Sequence, residues 1–370
     1  THASGSSDQR SAAEPLVDIS GVRNVTELLA ARFATAPDHI AFETRVPGAA
    51  LNEPWRQIST REFMEEVAGA AKGLMASGVN AGDTILIMSP TQYRWTVADF
   101  AALFAGAVVV PVYDTASDAQ LQAILADARP TAAFAGDTSL ARRISRAAAG
   151  AVEAPPSVWV LEAGEQDDAG RTHHSLGDLA RLGDEIGDDL LEARRLSAAL
   201  DDIATIVYTS GTTGSPKGAL ITHRNLVGQV LNTAAAYREV VKETGNTILF
   251  LPLTHVLGRA LQLICVANGM RVAHLSNPKE VVQALAILKP TFLVVVPRVL
   301  EKIQAAAAAS AREKKVEPIW SVASTVAQKW GRYLETRDQD PSARAPLGLR
   351  MQRAFFDRLF YRRLRAVMGN

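Results

Sequence analysis

The chain has 370 residues, 48% of them apolar, with Lys+Arg and Asp+Glu equal at 39 each. That length and apolar share call for a sizeable buried core and exclude a disordered chain or a single small domain. The charge balance argues against general nucleic-acid binding, which wants a net basic domain. The lone Cys265 excludes an internal disulfide and a cysteine-based zinc site.

Residues 1–14 are small, polar and without an apolar core segment, and read as a disordered leader, not a signal peptide. No run reaches the length of a transmembrane helix, so a soluble protein is expected, and the cysteine usage fits a reducing cytoplasm. Asn24-Val-Thr-Glu27 has the capping-box pattern, with Leu28, Leu29 and Phe33 following at helical spacing. Ser59-Thr-Arg-Glu62 opens a second helix that should end near Gly78. Thr84–Met88 reads as a strand, Gln92–Ala105 as a helix carrying Trp95 and Phe100, and Ala107–Tyr113 as another apolar strand. Gln120–Ala128 is helical, and Thr131–Ala135 and Ser157–Glu162 are strand-like. This β-α-β alternation predicts a parallel, doubly wound sheet.

From Gly164 to about Asp189 the chain turns polar, acidic and Gly-rich, which predicts an exposed connection between a first lobe (about 15–190) and a second (about 200–370). His173-His174 falls there. Neighbouring histidines do not share a helix face, and no carboxylate or cysteine stands at ligand spacing, so a solvated pair is expected and no metal ligand is assigned.

The second lobe opens on Ala204-Thr-Ile-Val-Tyr208, a short buried strand, and runs into Tyr208-Thr-Ser-Gly-Thr-Thr-Gly-Ser-Pro-Lys-Gly-Ala219. Thr222 then reads as the N-cap of a helix through Tyr237. Gly211, Gly214 and Gly218 let backbone N–H groups curl around oxygens. The Ser210, Thr212, Thr213 and Ser215 hydroxyls donate further bonds, and Lys217 adds a mobile positive charge. Such a loop past a strand's C-terminal end suits a polyanion. At roughly 1.5–3 kcal/mol for each charge-assisted bond, four or five could hold a triphosphate. It is not a Walker A loop. Counted from Gly211, the glycine before the lysine is Pro216, and Gly218 replaces the Ser/Thr that would hold magnesium.

Thr247–Leu253, Arg271–Leu275 and Thr291–Val296 read as strands, and Val256–Asn268 and Lys279–Leu288 as helices. His255 stands just past the first of these strands, on the edge that also carries the phosphate-binding stretch, so the two can share a cleft. From Arg298 onward long helices and no further strands are expected, with Gln304–Arg312 an alanine-rich helix interior. Arg344, Arg350, Arg353, Arg358, Arg362, Arg363 and Arg365 are interleaved with Leu349, Phe355, Phe356, Leu359, Phe360 and Leu364, against one acid, Asp357. A basic amphipathic helix of this kind can lie on an anionic membrane, but the ordinary case packs its apolar face and solvates its arginines.

Tyr208–Ala219 resembles, almost letter for letter, the phosphate loop of the adenylate-forming, AMP-producing acyl-CoA synthetase superfamily. Phe250-Leu-Pro-Leu-Thr-His-Val-Leu-Gly-Arg259 is similar to the F-L-P-L-x-H-x-x-x-R motif of its long-chain fatty acyl-CoA branch. Val295-Val-Pro-Arg-Val-Leu-Glu-Lys302 is similar to that branch's V-P-R-V-x-E-K stretch, and Trp95 through Tyr113 looks like the early core motif. The resemblance spans roughly Leu16 to Met368. It implies two doubly wound α/β lobes packed together, with mostly parallel sheets, as in the large N-terminal domain of these enzymes.

The activity implied is that of an AMP-forming long-chain fatty acid–CoA ligase using ATP, Mg2+ and coenzyme A. Thr209, Ser210, Gly211, Thr212, Thr213 and Gly214 would bind the β- and γ-phosphates, and Lys217 would neutralise departing pyrophosphate. His255 would sit where carboxylate meets α-phosphate, with Arg259 bracing its segment. The chain stops at Asn370, before the family's Y-G-x-T-E segment, ribose-binding aspartate, hinge and small C-terminal domain. The resemblance therefore implies an incomplete large domain over 15–370, the small domain absent, with little synthetase activity alone. Two other readings stand beside it: a fatty acyl-AMP ligase loading a carrier protein, and a non-catalytic short form binding nucleotide or lipid. A P-loop phosphotransferase fails for want of a Walker A pattern. A long-chain fatty acid is the expected partner, nucleic acid is not, and a homodimer is admitted because dimer surfaces leave no motif. The expected location is the cytoplasm, with the membrane periphery as the second.

Overall fold

The computed structural model describes residues 14–46, 48–162, 174–209 and 216–362. In chain order the first elements are α1 (Glu27–Thr35), β1 (Ile40–Thr44), β2 (Arg56–Ser59), α2 (Thr60–Ala76), β3 (Thr84–Met88), α3 (Tyr93–Phe104) and β4 (Val108–Val112). Next come α4 (Asp118–Ala128), β5 (Ala132–Ala135), α5 (Thr138–Ala149), β6 (Ser157–Val160), α6 (Leu176–Leu182) and α7 (Asp188–Arg195). Then follow β7 (Ile203–Thr209), β8 (Lys217–Thr222), α8 (His223–Ala236), β9 (Asn246–Leu249), α9 (Val256–Asn268) and β10 (Arg271–His274). The chain closes with α10 (Val281–Leu288), α11 (Pro297–Glu313), α12 (Glu317–Gln339) and α13 (Leu347–Phe356). The fold is α/β, with mostly parallel sheets.

The first compact unit comprises the chain up to Phe42, Gln57–Thr244 and Pro252–Arg271. Its six-stranded sheet has the order β6-β5-β3-β4-β7-β8, parallel throughout except for β8, which pairs antiparallel with β7. Strands on both sides of the 190–200 region thus lie in one sheet. Alternation along β3 shows the double winding. Leu86 and Met88 join Leu121, Leu125, Leu140 and Ile144 of α4 and α5 in one core. Ile85 and Ile87, equally buried, point to the opposite face by the pleat of the strand. Aromatic rings form a second buried group, with Phe63 of α2 in edge contact with Phe42 and with Phe100 of α3.

The second unit comprises Glu43–Arg56, Gly245–Leu251 and Val272 onward. A four-stranded sheet has the order β2-β1-β10-β9. After β10 the described chain is helical. Ala323, Val326 and Phe356 form a small core, with Leu349, Phe360 and Tyr361 packed against it. Arg353 stacks over the Trp330 ring at 4.2 Å. The inward face of the arginine-rich segment is therefore packed, as ordinary amphipathicity dictates, while Leu347, Met351 and Phe355 stay exposed. Arg363, Leu364 and Arg365 lie outside the described residues.

Several local expectations need correction. Asn24 does not cap a helix through a capping box. Its side chain is buried, accepts from Thr26 and donates to the carbonyls of Arg195 and Ala198, so a tertiary contact outcompetes the local one. Ser59 does form the box with Glu62. The expected connection between 164 and 189 contains α6, capped by a box between Ser175 and Asp178. Residues 291–296 are not a strand. The N–H groups of Thr291 and Phe292 go to Asn246 instead of a ladder, and Pro297 then opens α11 at its first turn. The stretch after the phosphate-binding residues is a strand, β8, before the helix capped by Thr222.

Candidate active site

β7 and β8 form a hairpin in which Thr209 pairs with Lys217 and Tyr208 with Gly218. The polar stretch therefore joins two antiparallel strands, and Lys217 stands directly across from Thr209 at the hairpin's base. Both are exposed. Ser210, Gly211, Thr212, Thr213 and Gly214 lie outside the described residues. Gly218 has a packing reason. A Cβ there would lie 2.7 Å from Ile206 Cγ2 and 3.3 Å from the Tyr208 ring, so the close approach of the two strands admits only glycine. The Tyr208 hydroxyl donates to the Asp127 carboxylate of α4. Burial first, then the Asp127 bond and charge, hold that hydroxyl above its usual pKa. The phenol thus stays a donor and ties the hairpin to α4.

His255 is the N-cap of α9. Its backbone is extended, its Nδ1 accepts from the Leu257 N–H at 3.2 Å, and its own N–H donates to Pro252 O at 3.0 Å. That bond satisfies one of the donors left open by any helix start. The imidazole is exposed, between exposed Val256 and Leu257. Leu253 N–H donates to Thr91 Oγ1 at 3.3 Å, which anchors the turn three residues beyond the C-terminal end of β3.

Sheet register relates the two places. Ile85, Val109 and Thr205 lie in one row across β3, β4 and β7. Counting on three residues puts Tyr208 level with Val112 and Met88. The hairpin base leaves this edge at β7. The His255 turn follows β9 of the four-stranded sheet, not a strand of this one as expected, and is tied to the edge by Thr91 beyond β3, two strand spacings or roughly 10 Å from β7. The chain from β4 returns across β3 to β5, whereas that from β7 goes outward to β8. Their diverging ends make the kind of crevice where open α/β sheets bind ligands.

Arg259, one turn into α9, is 3% exposed and pairs with Asp99 of α3, itself 1% exposed. Desolvation pushes the Asp99 carboxyl up, and the charge and hydrogen bonds of Arg259 pull against it. His223, at the start of α8, is held neutral with its pKa lowered to about 4, by burial first and then by the Arg259 charge. Its Nδ1 accepts from the Val25 N–H at 3.3 Å. Sequence reasoning missed Asp99. The signal was there, since one acid in the otherwise apolar run Trp95–Phe104 must be either exposed or paired.

Other candidates fall away. The Cys265 thiol is buried and pushed up to about 12, so it is no nucleophile at neutral pH. The His174 ring rests against Trp159 and its carbonyl accepts from Val160 N–H, while His173 lies outside the described residues. Among the described residues no group of His, Cys, Asp and Glu could hold a metal. The donors that are described at the hairpin, a hydroxyl at Thr209 and a cation at Lys217 with no ion pair among the described residues, fit a phosphate chain.

Comparison with known proteins agrees with this architecture. The model of the AMP-binding enzyme family matches residues 29–358. The long-chain-fatty-acid–CoA ligase FadD15 of Mycobacterium bovis is 34% identical over 333 residues, 90% of this chain and 52% of that protein. The chain thus spans about half the length of the curated relatives it matches. Among solved structures, a long-chain-fatty-acid–CoA ligase (FadD1) from Archaeoglobus fulgidus superposes with a TM-score of 0.63 at 21% identity. That match covers 78% of this chain and 54% of the other. The adenylation domain of a carboxylate reductase from Mycobacterium chelonae gives the same TM-score at 22% identity, covering 78% and 48%. At these identities the superpositions speak to the fold alone.

Proposed function

The chain belongs to the AMP-binding enzyme family, and on that premise we propose that it carries the ATP-binding edge of a long-chain fatty acid–CoA ligase. The observation that supports this best is the shared edge. Thr209 and Lys217 stand across a hairpin base beyond β7, and His255 caps α9, whose preceding turn is bonded to Thr91 beyond β3 at the same edge.

In this reading a fatty carboxylate oxygen attacks the α-phosphorus of ATP, the bond to the bridging oxygen breaks, and pyrophosphate leaves. The thiol of coenzyme A then attacks the acyl carbon, loses its proton and displaces AMP. The first step brings two anions together, so catalysis is mostly positioning and charge neutralisation. Lys217 holds the β- and γ-phosphates, with Thr209 and the run Ser210, Gly211, Thr212, Thr213 and Gly214 as further donors. His255 orients a carboxylate or α-phosphate oxygen, and exposed Val256 and Leu257 beside it offer apolar surface to the acyl chain. Mg2+ would arrive with the nucleotide and offset its charge.

Palmitate-dependent pyrophosphate release from Mg·ATP tests the reading, on this chain and on the product of the full reading frame. The expected result is release in the latter, lost by more than 100-fold with Lys217→Ala. Folded protein that binds ATP but releases no pyrophosphate with palmitate would overturn the substrate assignment.

A further inference from the structure

We propose that Asp99 is a positioning residue for this reaction, acting through Arg259 to fix where His255 stands. The proposal rests on the ligase reading for its consequence but on independent geometry for its substance. Arg259 Nε donates to Asp99 Oδ2 at 3.0 Å and its Nη2 to Oδ1, a two-bonded fork between planar groups. Such a fork is satisfied in one relative orientation only. Three residues back along α3 and three forward along α9, Thr96 Oγ1 donates to Gln262 Oε1 at 3.3 Å, again with both residues buried. The pairs 96–262 and 99–259 run in opposite chain directions. They are two polar rungs between α3 and α9, set into helix faces that are otherwise apolar.

The connection to the site is one helical turn. Arg259 N–H donates to His255 O at 3.1 Å, and the His255 ring accepts the N–H of Leu257. A rotation or slide of α9 by one residue, about 100° and 1.5 Å, would carry the imidazole away from the sheet edge. Close packing of the apolar face of α9 also opposes such a slip, and the fork adds a directional constraint that non-directional apolar contacts lack. A buried ion pair is a poor choice for raw stability, since an apolar pair is often as stable or more so. Its physical advantage is orientation. α3 supplies the fixed partner, for its whole length from Trp95 to Phe104 is buried.

The test compares three variants. Asp99→Leu/Arg259→Met replaces the fork with apolar side chains, Arg259→Lys keeps the charge but not the fork, and Asp99→Asn keeps the shape but not the charge. In the 370-residue chain, the long-range proton–nitrogen NMR signals of His255, assigned through His255→Gln, are expected to shift or split in all three while the protein still unfolds cooperatively. In the full-reading-frame product, kcat/KM for palmitate is expected to fall at least tenfold in the double variant, with KM for ATP within twofold of wild type. Unmoved His255 signals in any folded variant would overturn the proposal. Moved signals with no palmitate turnover in the wild type would uphold the positioning and sink the ligase reading instead. Should the double variant fail to fold, Arg259→Lys and Asp99→Asn still decide the matter.

Discussion

The two halves of the candidate site are held in opposite ways. At the hairpin, Lys217 and Thr209 are positioned by a backbone ladder whose strand partners are their own neighbours in sequence. At α9, His255 is positioned by side chains, through a buried pair whose members are 160 residues apart. A ladder of backbone bonds is indifferent to most side-chain changes, so the hairpin should yield only where a side chain is sterically forced. A buried polar rung has no such tolerance, because deleting one partner strands the other.

The largest effect should come from Asp99→Ala. It leaves the Arg259 guanidinium buried without its counter-charge, at about 3–5 kcal/mol, and the melting temperature should fall by about 4–6 degrees in a chain of this length. A change within a degree or two would mean that the pair carries little and that apolar packing alone holds α9.

Next is the pH dependence of the same buried cluster. His223 titrates at about 4 in the folded chain against 6.5 for the free side chain. Between those values the unfolded chain binds a proton that the folded chain does not. The contribution is therefore fully present above pH 6.5 and is lost as pH falls toward 4, on the order of 3 kcal/mol at most. His274, buried and lowered to about 3, acts in the same direction. The informative quantity is thus the difference between wild type and His223→Gln, whose melting temperature should fall less steeply from pH 6.5 to 4. Parallel curves would contradict the assignment.

Among the described residues of the hairpin the sterically forced position is Gly218. Gly218→Ala puts a methyl against Ile206 and should cost about 1–3 kcal/mol, with ATP affinity falling alongside the melting temperature. Smallest is Asp127→Asn, which weakens the Tyr208 tether. It should cost under about 1 kcal/mol, because an exposed hydrogen bond is replaced by a neutral one. If Asp127→Asn proved worse than Gly218→Ala, the tether and not the ladder would be holding the hairpin.

The same contrast explains what could be read from the sequence. Helix α9 was legible residue for residue over Val256–Asn268, because His255 caps it and Gly269, at φ +67°, ends it in the left-handed conformation. The strands β3 and β4 were legible as apolar runs. Strand β8 was not. Lys217 through Leu220 are all exposed, so no burial alternation marks an edge strand paired only with β7. Helix α5, capped by Asp137, passed unread among alanines and arginines. The candidate site residues Lys217 and His255 were visible because motifs carry them. Asp99, Thr91 and Asp127 were not, since each acts through a partner distant in sequence.

The hairpin base and the His255 turn are expected to serve one bound molecule. The most direct measurement is hydrogen–deuterium exchange of this chain with and without palmitoyl-sulfamoyl-adenosine, a stable mimic of the acyl-adenylate. Joint protection of 204–209, 217–222 and 253–257 is expected at the same ligand concentration. Protection of the hairpin alone, with the His255 turn exchanging as in the free chain, would contradict it.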